Sequence, residues 1–270
     1  MPIQSLVVTS PLTQGPHVKA AQEILAGKNV FKQDFLQIPV DDEFGPGCGR
    51  ACRRAKFWAG YPGGTVNSDR VGPMYGDQLH RLLTGEEELP ADYKKRRADR
   101  LAEAKKKPLR EKAFERLAAD IGYTEQGNND STYGRWYRLN HNPYCAMAVT
   151  QAYVEVGSKA FARGSRYAYC PFLVNDARAG KNGLAITRNP EKGDLVLFDW
   201  KGDGISDHIG LFEAWVDRKK GYFKSVEANT SPDDRGSQSN GGGVFRRGEA
   251  PGRGDTRRTA QVQAFVHVGR

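Results

Sequence analysis

The stretch NHNPYCAMAVTQAYVEVG, residues 140–157, sets a cysteine at the start of a helix, and the rest of the chain can be read outward from it. Asn142 is a good N-cap, Pro143 suits the first helical position, apolar residues recur at helical spacing, and Gly157 offers a stop. Cys145 therefore falls in the first turn, where unpaired backbone N–H groups and the positive end of the helix dipole favour a thiolate. A cysteine alone is more often a small buried hydrophobe. A nucleophile needs a base within reach and a third group to orient that base, so the reading turns to the histidines.

Downstream, helical spacing gives way to short apolar or alternating runs: GDLVLFDW, GLFEAWVD, YFKSVEA, GGVFRRG and VQAFVHV. Glycine and charged turns separate them, which predicts an antiparallel sheet, and helices followed by strands make an α+β domain. His208 opens one strand and the returning strand carries Glu227. A hairpin centred between Asp217 and Arg218 puts Glu227 opposite His208, with facing Cα atoms about 5 Å apart. Asn229, two residues on, shares that face. His208 would take the proton of Cys145 and return it to a leaving amine, while Glu227 fixes the imidazole tautomer. The N–H of Cys145 can help hold an oxyanion, and Asn229 can orient the histidine or polarise substrate. His17, His80, His141 and His267 lack a comparable partner, and His141, near Cys145 in sequence, is the reserve. Cys170 reads as structural, because nothing near it in sequence would activate it. Asp199, Asp203, Gly204 and Asp207 depart from an EF-hand, with Lys201 at a ligand position and no closing glutamate. They read as a turn presenting His208, with calcium the secondary reading and no other cofactor expected.

Upstream lies a second body of sequence. The 270 residues, 38% hydrophobic and 27% charged, suffice for two domains with their own cores. No apolar run suits a membrane span, and MPIQSLVVTSPL lacks the parts of a secretory signal, which predicts a protein made and kept in a cytoplasm. Four irregularly spaced cysteines make no disulfide framework, and Cys48 and Cys52, four apart on a predicted helix, suit core packing. Helices are predicted over 15–27, after the glycine turn within 41–62, and over 75–85. The net charge of +9 is concentrated in residues 91–119, where 11 basic face 5 acidic residues. With few aromatics, that segment reads as a solvated helix rather than a nucleic-acid surface. The expected organisation is a helical domain over 1–90, a charged linker over 91–109 and an α+β domain over 110–270.

The N-terminal wording, Gly15, Val18, Gln22 and Leu25, then Asp42, Phe44 and Gly45, Phe57 and Trp58, and Tyr75, Gly76 and Leu79, resembles the type 1 peptidoglycan-binding domain family. It departs from that family in PGCGRA, where a threonine is usual. YGRWYRLNHNPYCAM, NPEKGDLVLFDWKGDGISDHIGLFE and VEANTS resemble the CHAP family, cysteine- and histidine-dependent amidohydrolases and peptidases related to papain-like and NlpC/P60 folds. The resemblance implies Cys145 as nucleophile, His208 as base, Glu227 as orienting acid and Asn229 as supporting amide. Tyr144 stands where tryptophan is usual, and Asn142, Tyr144 and Trp200 are the candidate substrate-binding residues.

Together the parts resemble a phage endolysin of Gram-positive actinobacterial hosts. This implies a hydrolase held in the host cytoplasm until lysis, then acting on peptidoglycan with no nucleic-acid or membrane partner. An endopeptidase is the first expectation and an N-acetylmuramoyl-L-alanine amidase the alternative, with a non-catalytic wall binder further off. A monomer is expected.

Overall fold

A computed structural model describes residues 5–35, 38, 40–67 and 74–269, which form two compact units over Met1–Lys106 and Lys107–Arg270. The first is helical: α1 (Pro16–Leu25), α2 (Pro46–Ala59), α3 (Gly63–Asn67), α4 (Asp77–Thr84) and α5 (Ala91–Lys106). Prolines open α1 and α2 and left-handed glycines close α2 and α4, as their sequences predict. Buried Gln22 ties α1 to the glycine turn, donating to Asp41 Oδ1 (2.8 Å) and the Glu43 carbonyl and accepting from the N–H groups of Asp41 and Asp42. Cys48 and Cys52 are buried free thiols on α2.

The segment read as a linker from residue 91 is helix α5, packed within the first unit. Arg96 and Arg100 donate to the carbonyls of Gly60 (2.6 Å) and Tyr61 (2.8 Å), and Arg97 and Arg100 donate to those of Trp58 and Phe57. The last carbonyls of a helix lack intrahelical donors and sit at its negative end, so cations are favoured there. Packing of α5 thus relies on guanidinium groups, which hydrophobic patterning does not count.

The second unit opens with α6 (Leu109–Ala118), α7 (Thr132–Tyr137), α8 (Cys145–Glu155) and α9 (Cys170–Arg178), followed by six strands. These are β1 (Leu184–Thr187), β2 (Leu195–Phe198), β3 (His208–Asp217), β4 (Tyr222–Thr230), β5 (Gly243–Arg247) and β6 (Val262–Val268). All pairings are antiparallel in the order β1-β6-β2-β3-β4-β5. Helices followed by an antiparallel sheet is the predicted α+β arrangement, with β1, α7 and α9 as elements the patterning did not resolve. Leu195, Leu197, Ile209, Leu211, Val226 and Ala228 share one core with Met147, Val149 and Tyr153 of α8 and with Phe114 and Leu117 of α6. Burial of each large aliphatic side chain is worth about 1.5–3 kcal/mol. The alternate residues Val196, Phe198, Phe212 and Phe223 form a separate aromatic cluster with Trp200, Trp215 and Phe265. No helix among the described residues is long and apolar enough to cross a membrane.

Candidate active site

Helix α8 begins at Cys145, with Tyr144 as its N-cap, two residues later than the sequence signals suggest. Asn142 caps nothing. It is exposed, and its amide donates to the carbonyl of Asn140 (3.0 Å). Cys145 nevertheless occupies the first helical position, and its buried sulfur is hydrogen-bonded by the Ala146 N–H. The Cys170 thiol is the strongest influence on it, with the two sulfurs 4.0 Å apart. Burial opposes ionisation, but the Cys170 hydrogen bond, together with the charge of His208, holds the Cys145 thiol well below its ordinary range. The hydrogen bond to Cys145 and burial push Cys170 well above it. Cys170, expected to be structural, is therefore an immediate neighbour of Cys145. It starts α9 just as Cys145 starts α8, beside Pro171, a parallel visible in the sequence once α9 is recognised.

His208, the first residue of β3, is fully buried. Its Nε2 lies 3.1 Å from Glu227 Oε2, and its buried Nδ1 has no hydrogen-bond partner, while the Cys145 thiol acts on the ring electrostatically. Burial by itself would lower the imidazole. Interactions with Cys145 and Glu227 outweigh it and push His208 up to about 9. For Glu227 burial works against the charge, yet Arg257, and then His208, hold its carboxyl far below the usual carboxylate range. The directions of the three shifts favour a thiolate beside an imidazolium, backed by a carboxylate.

The hairpin pairs Gly210, not His208, with Glu227, and its turn spans 218–221 with bulges below. The slip from the expected register is two residues, so Glu227 stays on the face of His208, since side chains alternate with period two. Gly210 makes the contact possible. A Cβ there would lie 2.6 Å from Glu227 Cγ, in the space through which the carboxylate reaches His208.

Asn229 does not join the histidine. A bulge between Ala228 and Thr230 and a left-handed φ of 59° turn it aside. Its amide donates to the Ser239 carbonyl (3.3 Å) and Asn240 Oδ1 (3.2 Å), while its buried Oδ1 has no partner. Tyr144 is buried and stacked on Tyr133, with ring centroids 5.4 Å apart, so it forms a floor beside Cys145 rather than an open wall. Trp200 stacks on Phe198 at 4.6 Å, and its ring lies 6.4 Å from His208. His141, the reserve base, is exposed and bonds to the Asn128 carbonyl (3.3 Å).

The loop before His208 is a self-satisfied turn. Asp199 accepts from the N–H groups of Gly202, Asp203 and Gly204, and Asp207 accepts from Trp200 N–H and Lys201 Nζ.

Sequence reasoning missed Arg257, which is 1% exposed. Its Nε donates to Glu227 Oε1 (2.6 Å) and its Nη2 to Oε2 (2.8 Å). It lies in a loop 30 residues from Glu227, and no local pattern announces such a pair. In comparisons with protein-family models, curated proteins and solved structures, nothing matches this chain.

Proposed function

We propose that the chain is a cysteine-dependent peptidoglycan hydrolase whose second unit is a papain-like CHAP domain, and whose first unit is a peptidoglycan-binding domain. The observation that carries this reading is the buried grouping of Cys145, His208 and Glu227, in which His208 Nε2 lies 3.1 Å from Glu227 Oε2 and the thiol and imidazole shift each other in opposite directions. The thiolate attacks an amide carbonyl carbon, and the developing oxyanion is held by the Cys145 N–H, which has no intrahelical partner. Protonated His208 gives its proton to the departing amine as the C–N bond breaks, leaving a thioester on Cys145. Neutral His208 then takes a proton from water, whose oxygen attacks the thioester carbon; the C–S bond breaks, restoring the Cys145 thiolate beside protonated His208, and the released acid gives up its proton to solvent as a carboxylate. Glu227 keeps Nε2 protonated and the ring aligned throughout.

The scissile bond in this reading lies in the peptide part of the wall, and the biological role is that of an endolysin acting on the wall once host lysis begins. Digestion of purified actinobacterial peptidoglycan with wild type and Cys145→Ala, followed by mass spectrometry, tests it. New peptide amino groups on glycan-linked fragments are expected from wild type, at a rate at least about 10³-fold above the variant. Peptide-free glycan with lactyl carboxylates would make it an amidase, and equal release by both proteins would remove Cys145 from the chemistry.

A further inference from the structure

We infer that Arg257 is a positioning residue that acts through Glu227, its two-pronged guanidinium fixing the carboxylate that in turn orients His208 toward Cys145. The proposal rests on the hydrolase reading of the site and adds a fourth member to its relay. Glu227 is saturated: Arg257 Nε and the Ser225 hydroxyl (2.6 Å) serve Oε1, while Arg257 Nη2 and His208 Nε2 serve Oε2. Neither oxygen can rotate away without breaking two bonds.

Arg257 is itself held on every side. Its Nη1 donates to the Thr256 carbonyl (3.0 Å) and its Nη2 also to Gln238 Oε1 (2.9 Å), while Asp234 Oδ1 stands 3.5 Å from Nη1. Gln238 and Asp234 are both tied to the buried Arg247, which also pairs with Asp255. The Arg257 carbonyl accepts from the Phe223 N–H of β4, the strand that carries Glu227. Its guanidinium lies over Phe198 (5.5 Å) and Trp200 (5.2 Å), and these rings also flank His208. One group therefore touches both the carboxylate and the aromatic wall of the imidazole. The charged groups that bear on the relay are Cys145 and Cys170 from the helices, Glu227 from β4, and Asp207, Asp234, Asp255 and Arg257 from the loops.

Lysine keeps the charge at position 257 but not the fork. The test is the rate of Cys145 alkylation by iodoacetamide against pH, read by peptide mass spectrometry, in full-length wild type, Arg257→Lys, Glu227→Gln and the double variant. This readout needs no peptidoglycan. Arg257→Lys is expected to slow alkylation at pH 7 about tenfold or more and to move its acid limb upward, because a loosened imidazolium stabilises the thiolate less. In the Glu227→Gln background the same substitution should change the rate less than about twofold, since its effect passes through the carboxylate. An equal loss in both backgrounds, or an unmoved acid limb in Arg257→Lys, overturns the proposal. Circular dichroism of each variant separates these outcomes from unfolding, and Arg257→Gln serves as the alternative should the lysine variant not fold. Wild type that alkylates with the expected profile yet leaves peptidoglycan intact would remove the hydrolase reading while leaving the coupling of Arg257 to Cys145 in place.

Discussion

Cys145 and His208 shift each other in opposite directions, and this fixes two different pH limits. The thiol is held well below its ordinary range and the imidazole is raised to about 9, so the two shifts together favour the ion pair. Amide hydrolysis needs both the thiolate and the proton on His208, so turnover should rise through the depressed thiol value and fall as pH passes about 9. Alkylation of Cys145 needs the thiolate alone and should not fall there. Parallel pH profiles of peptidoglycan release and iodoacetamide labelling check this, and a joint decline above pH 9 would contradict it. The stability contribution has the same sign: a raised histidine contributes fully below its ordinary 6.5 and loses that contribution as pH rises through about 9.

At the scale of the elements, the hairpin carries the site, and Gly210 is its most constrained position. Gly210→Ala places a methyl 2.6 Å from Glu227 Cγ and 3.0 Å from the Val226 carbonyl oxygen, so either the carboxylate or the strand must move. The expected cost is about 1–3 kcal/mol of stability, with a larger proportional loss of peptidoglycan release, measured by denaturant unfolding and digestion of the same preparation. The hairpin also shows what was legible in the chain. Apolar alternation revealed five of the six strands, and parity alone put Glu227 on the face of His208 although the turn is longer than expected. What stayed hidden was hidden for physical reasons. Strand β1 is as short as β2 but buries only Leu184 fully, so it lacks the continuous apolar run that announces β2. The turning-aside of Asn229 depends on a bulge, and the Cys145–Cys170 and Glu227–Arg257 contacts join distant segments.

Across the whole molecule the basic balance proves less diagnostic than its size suggests. Several cations of the richest basic segment, Arg96, Arg97 and Arg100, are engaged with carbonyls in the last turn of α2 and just beyond it in the first unit. In the second unit Arg247 and Arg257 are buried among carboxylates. The aromatic floor behind Cys145 belongs to a wider pattern. Tyr61 and Tyr75 in the first unit, and Tyr123, Tyr133, Tyr137, Tyr144, Tyr153 and Tyr167 in the second, are all pushed above the ordinary phenol value of 10, in each case chiefly by burial. These are eight of the chain's 11 tyrosines. The folded protein resists phenolate formation and the unfolded chain does not, so stability is lost as pH climbs past 10. In an alkaline titration the ultraviolet band of phenolate should therefore stay faint while the fold persists and then appear in step with the loss of far-ultraviolet ellipticity. A smooth rise centred near pH 10 would show the rings to be open to water. The tyrosine stack beside Cys145 thus gives the protein an intrinsic optical gauge of its own integrity, one that needs neither substrate nor label.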